Sequence, residues 1–234
     1  MVVDTLQSPL ALLVVIVAGF AALVGINVLE NFFGNKLKDL FSDEKYFFFF
    51  FMVFGYILYA IGEVSYYIAR TYFSNFASIG ISDVYWTIGG LTILASFIAL
   101  AAISIQSKDL KPMNVGIITA VSFFIVLAIL YTVTLREGDV SFFSYFYPLV
   151  SALIVGVSLS TVLALERSHH FSTSMMLFCL SSAAILLGDL LFTYVTAQEI
   201  VGMLRTVTDV LYVSGYGLSL IAFVMMRMHI SEID

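Results

Sequence analysis

Long apolar runs separated by short polar stretches make up this chain. Seven windows hold about 20 or more mostly apolar residues, the length needed to cross the hydrocarbon core of a bilayer. They are about Pro9–Asn31, Tyr46–Arg70, Asp83–Ile105, Val115–Thr134, Ser141–Leu165, Ser172–Thr196 and Met203–Arg227. The clearest break is Lys108–Asn114, where Pro112 stands ready to start a helix. Arg136–Asp139 and Glu166–His170 are equally polar. Run length selects helices over barrel strands, which would be about half as long and would alternate. The pattern predicts an all-α polytopic membrane protein, a single seven-helix domain over residues 1–234. Its connections are short, so neighbours in sequence are expected to be neighbours in space.

Composition explains why such a chain needs lipid. Hydrophobic residues make up 61% of it and charged residues only 11%, where a soluble domain carries about 25% charged. A water-facing fold would leave much of that apolar surface exposed. The net charge of −6 argues against nucleic acid as a partner. The first residues, MVVDTLQSPL, contain no Lys or Arg, so they lack the basic start of a secretory signal, and the first helix is expected to stay in the protein. The one cysteine, Cys179, rules out an internal disulfide and reads as a small hydrophobe. With the N-terminus outside, the inner segments hold Lys36, Lys38, Lys45, Lys108, Lys111, Arg167 and Arg227, and the outer ends hold Arg70, Arg136 and Arg205. That asymmetry predicts a multi-pass cell-membrane protein with N-terminus out and C-terminus cytoplasmic.

The chain also carries a pattern at an offset of 126 residues. Gly62-Glu63 recurs as Gly188-Asp189, and Ser82-Asp83-Val84 as Thr208-Asp209-Val210. At the same offset Trp86 meets Tyr212, Gly89 meets Gly215, Leu94 meets Leu220 and Phe97 meets Phe223. The spacing predicts a 3+1+3 internal repeat: about 9–105, a linker helix at 115–134, and about 141–228. Three helices plus one linker give both units the same orientation, so the pseudo-two-fold axis is expected along the membrane normal.

Candidate chemistry centres on four acids. A carboxylate inside a span costs several kcal/mol on insertion scales and usually faces the bundle interior or water. Glu63 stands 17 residues beyond Tyr46 and Asp189 17 beyond Ser172, roughly 25 Å along each helix. Both are candidates for binding a ligand, an ion or a proton, against the plainer alternative of a structural hydrogen bond. Facing each other across the axis, they would interact when ionised. Asp83 and Asp209 are expected to open the next helices, either as ordinary caps or as added negative potential at the mouth. Trp86, Tyr212, Tyr216 and Tyr66 gather at the same level; such aromatics enrich at interfaces in any case, but they also suit a small pocket. Gly89, Gly90, Gly215 and Gly217 read as close-approach positions, and the Phe47–Phe51 run as lipid-facing or packing bulk. Mid-membrane polar groups look sparse, with Asn27, Ser122, Ser158, Ser181 and Ser182 the main ones. His169 and His170 lack companions at metal-ligand spacing, so no metal is expected. With no nucleophile motif, phosphate loop or HExxH, no catalytic residue is assigned and no enzyme is expected.

Asp209, Tyr212, Gly215 and Tyr216, with the partial copy Asp83, Trp86, Gly89 and Gly90, resemble the membrane sensor modules found in front of prokaryotic histidine kinases and diguanylate cyclases. The departure is that no output domain follows before Asp234. The seven-span plan is similar to that of microbial rhodopsins, which hold retinal on a lysine of the seventh helix. No lysine follows Lys111 here, so Schiff-base retinal is excluded and no cofactor is expected. The 3+1+3 plan resembles the SWEET sugar transporters, without their proline-glutamine loop motif. The expected function is therefore a receptor-like or sensory membrane protein that binds a small ligand or ion near the outer surface and signals to a separate protein partner. A small transporter or channel built from two three-helix repeats is the alternative, and a non-catalytic subunit of a membrane complex the third.

Overall fold

A computed structural model describes residues 7–33, 44–72, 80–134, 142–165, 170–198 and 202–230. Seven helices account for almost all of them: α1 Gln7–Phe33, α2 Glu44–Tyr72, α3 Ile81–Gln106, α4 Pro112–Thr134, α5 Phe142–Ala164, α6 His170–Ala197 and α7 Met203–Ile230. There is no strand among the described residues. All seven helices are long and apolar enough to cross a membrane. Their ends fall within about three residues of the windows expected from hydropathy, because the polar breaks sit where lipid can no longer cover the chain. The segments around Lys36 and Lys38, Arg136–Asp139, and 166–169 with Arg167 and His169 lie outside the described residues.

Six helices form a closed cycle of neighbours: α1 with α2, α2 with α3, α3 with α5, α5 with α6, α6 with α7, and α7 with α1. The fourth helix lies outside that cycle, against α5 and the edge of α6. A close approach lets α4 dock there: a Cβ on Gly156 of α5 would stand 2.6 Å from the Thr119 Cα. The rest of α4 presents Ile117, Val121, Phe124 and Ile125 outward. The same holds around the bundle, where Leu23 of α1, Leu163 of α5 and Leu187 of α6 are all more than half exposed. Meanwhile Ser96, Ser158, Ser160, Ser174, Ser181 and Ser219 are fully buried. Apolar side chains outside and hydroxyls inside make a surface suited to lipid rather than water; this is a multi-pass membrane protein.

The interior is anchored by Tyr56, Phe178 and Phe223 from α2, α6 and α7. Phe178 and Phe223 meet edge to face at 4.8 Å, and Tyr56 packs on Phe223 at 5.5 Å, arrangements the ring quadrupoles favour. The phenylalanine run divides: Phe48 and Phe49 are buried in the core, the packing alternative, and Phe47, Phe50 and Phe51 are half-buried. A helix turns successive side chains by about 100°, so five in a row cannot share one environment.

Candidate functional site

Every polar group kept inside an apolar bundle needs a partner. Asp189 sits eight residues before the end of α6 and Glu63 nine before the end of α2, about 12–14 Å in from that end of the bundle. Both face the interior. Glu63 is only 8% exposed. Its Oε1 accepts a 2.8 Å hydrogen bond from the Tyr216 hydroxyl of α7, and Trp86 of α3 packs against Gly62, the residue before Glu63. Asp189 accepts 2.6 Å from Ser151 Oγ of α5 at one carboxylate oxygen and 2.9 Å from the Tyr212 hydroxyl of α7 at the other. The other acids that bear electrostatically on Glu63 are Asp189 and Asp209. Four helices thus supply donors to, or carry, two acids.

Glycines allow these approaches. A Cβ at Gly62 would stand 2.6 Å from the Trp86 ring, and one at Gly188 2.9 Å from the Tyr212 ring. An aromatic ring of the following helix therefore lies against the glycine just before each acid. Further in, a Cβ at Gly89 would press on Tyr59 and the Gly55 carbonyl, and one at Gly215 on Ile185 and the Ser181 carbonyl. Gly90 sits 3.0 Å, by the same measure, from the Tyr59 hydroxyl. Gly217 differs from its expected role: nothing lies within 4 Å of its added Cβ, because it faces away from the contact that Gly215 makes.

The outer pair of acids separates. Asp83 is a cap: it stands in the first turn of α3 and its Oδ2 accepts the Gly80 N–H at 2.7 Å. It also receives the Tyr147 hydroxyl of α5 at 2.8 Å. Asp209 was expected to open its helix, but α7 begins at Met203. Two extra turns of helix precede it, and Thr208 bonds back to the Leu204 carbonyl instead of capping. Asp209 Oδ2 is buried without a hydrogen-bond partner among the described residues, and Arg70 and Arg205 are the cations that act on it. Tyr66 packs against Trp86 at 5.3 Å, and Trp86 meets Tyr147 edge to face at 6.1 Å. Seven of the eight candidate residues therefore form two connected groups at the end where α2 and α6 finish and α3 and α7 begin, and Asp209 stands apart from both.

Sequence reading missed the contribution of α5. Ser151 and Tyr147 are single hydroxyls in an apolar run, and no motif marks them. Pro148 is a signal that was available. It has no N–H to give the Ser144 carbonyl one turn back, and Thr193 Oγ1 of α6 supplies that carbonyl with a 2.9 Å bond. A proline in a span needs such a neighbour, so Pro148 ties α5 to α6 beside the acids. Polar groups in the middle of the bundle are also more numerous than expected: Tyr56 and Ser181 share a 3.2 Å hydrogen bond across α2 and α6. Among the described residues no group of His, Cys, Asp and Glu is arranged to hold a metal ion. No protein-family model matches the chain, and no curated protein or solved structure matches it.

Proposed function

We propose that this is a receptor-like, sensory membrane protein in which Glu63 and Asp189 take up a proton or a small cation, and the helices that share them pass the change to a separate protein partner. The observation that carries this reading is the placement of two carboxyls within spans, Glu63 buried and Asp189 half-buried, held by hydroxyls from other helices. Each bond crosses between helices: Tyr216 joins α7 to α2, Ser151 joins α5 to α6, and Tyr212 joins α7 to α6. A change of charge at either acid alters what those hydroxyls gain by donating, and so biases how the helices sit. The cavity bordering Ser151 is about 10 Å³, far below the roughly 300 Å³ or more that sites for organic ligands usually hold, so that cavity takes no organic ligand.

With the N-terminus outside, the orientation that the lysine distribution favours, the acids lie in the outer half and Asp83 and Asp209 stand nearer the mouth. A 3+1+3 duplication accounts for the contacts economically. Gly62, Glu63 and Trp86 relate to Gly188, Asp189 and Tyr212 by the 126-residue offset, with the same glycine-to-ring contact in each. The helix neighbours also map onto one another: α1 with α2 onto α5 with α6, α2 with α3 onto α6 with α7, and α3 with α5 onto α7 with α1. A transporter in which the two halves rock is the second reading. It is favoured by three tyrosine hydroxyls that cross between the halves, from Tyr56 to Ser181, Tyr216 to Glu63 and Tyr147 to Asp83.

Trp86 is the one tryptophan and lies beside Glu63, so it reports on the site directly. Its fluorescence in lipid vesicles is to be followed against pH, Na⁺ and K⁺ in the wild type, Glu63→Gln, Asp189→Asn and the double variant. The reading expects a wild-type response that the double variant lacks while still unfolding cooperatively. An unchanged response in the double variant removes these acids from the site. Ion flux through the wild type in sealed vesicles selects the transporter.

A further inference from the structure

One polar group without a hydrogen bond among the described residues lies beside a cavity. Tyr59 of α2 is 8% exposed, and none of the hydrogen bonds among the described residues uses its hydroxyl, which lies against Gly90 and is within van der Waals range of the same α3–α5 seam as Val150. The ionisable groups that face it are Asp189, Tyr56, Tyr147 and Glu63. Beside it is a cavity of about 10 Å³, with Tyr56, Tyr59, Ser151 and Ser182 as its polar lining and Ile93, Ile154 and Ile185 as its apolar walls. That volume is the space one water needs, and a buried water typically makes two to four hydrogen bonds.

We propose that this cavity is an internal site for a single water molecule, which links Asp189, through Ser151, to the polar groups deeper in the bundle. The donor and acceptor inventory fits. Tyr59 has a hydroxyl proton to give. Ser151 Oγ spends its proton on Asp189 and keeps a lone pair. Ser182 Oγ spends its proton on the Phe178 carbonyl and also keeps a lone pair. A water that accepts from Tyr59 and donates to Ser151 and Ser182 satisfies three groups at once. Tyr56, on the same wall, continues the connection to Ser181. The line then runs from Asp189 through Ser151 and the water to α6 about two turns deeper. Its use as a relay rests on the proposed role of the acids; the water site itself does not.

The test is nuclear magnetic resonance on protein in lipid nanodiscs, labelled at tyrosine and serine. Long-lived water should give cross-relaxation to the Tyr59 ring and to the Ser151 and Ser182 side chains. Ile154→Phe, which fills the cavity, should abolish it. Tyr59→Phe, which keeps the shape and removes the donor, should weaken it at both serines. Absence of the signal in the wild type overturns the proposal, as does its persistence unchanged in both variants. Carboxyl infrared bands measured on the same samples separate the two claims: a water signal without titrating carboxyls leaves the water site and removes the acid reading.

Discussion

Gly188→Ala is the sharpest steric test of the site. The new Cβ would stand 2.9 Å from the Tyr212 ring, and ordinary contact begins near 3.4 Å. The ring must therefore retreat from α6 by about 0.5 Å, which close-packed interiors resist. Asp189 is on the same helix, next to the substitution, so the Tyr212 hydroxyl moves away from it. Its 2.9 Å bond lengthens toward the limit of hydrogen bonding. Three terms set the result. Alanine gains about 0.8–1 kcal/mol over glycine in a helix. Overpacking costs about 1–3 kcal/mol, and a weakened interhelical hydrogen bond in a membrane costs up to about 1.7 kcal/mol. The expected balance is a loss of about 1–3 kcal/mol, read by unfolding in mixed micelles titrated with SDS. Gly116→Ala is the control: nothing lies within 4 Å of its added Cβ, so it should keep or raise stability by up to about 1 kcal/mol. Equal stability of the two variants would refute the claim that the glycine sets the Tyr212–Asp189 contact.

Three further outcomes are expected. Thr193→Val removes the donor to the Ser144 carbonyl that Pro148 leaves without its helical partner, and should cost about 1–3 kcal/mol in the same assay. Ser96→Ala and Ser174→Ala each delete a buried hydroxyl with no hydrogen-bond partner among the described residues, so stability should hold or rise, in contrast to Ser151→Ala, which also strips a donor from Asp189. In a Cys179→Ala background, a membrane-impermeant thiol reagent applied outside intact cells should label Asp139→Cys and not Asp109→Cys; the reverse pattern overturns the N-out orientation.

The spans were legible because lipid imposes one strong rule, an apolar run of fixed length. The acids were legible for the converse reason: a carboxyl in such a run stands out by its cost. Their partners were harder to find. Ser151, Tyr147 and Thr193 are cheap to bury one at a time, and only the packing of α5 on α3 and α6 brings them to Asp83, Asp189 and the Pro148 turn. Asp209 misled because the Thr-Asp pair looks like a helix start wherever it occurs, while the actual start depends on where the preceding chain re-enters the membrane. Tyr59 stood out in the sequence only as one of several aromatics at the level of the acids that could line a pocket; the cavity beside it depends on packing that local sequence does not encode.

Whether Glu63 and Asp189 act as one coupled pair is read from infrared spectroscopy of the carboxyl C=O stretch in lipid, recorded across pH. For a coupled pair, Glu63→Gln removes one titrating band and moves the midpoint of the other, and Asp189→Asn does the reverse. Carboxyl bands that do not change between pH 4 and 9, or two bands whose midpoints ignore each other's substitution, would contradict the coupling.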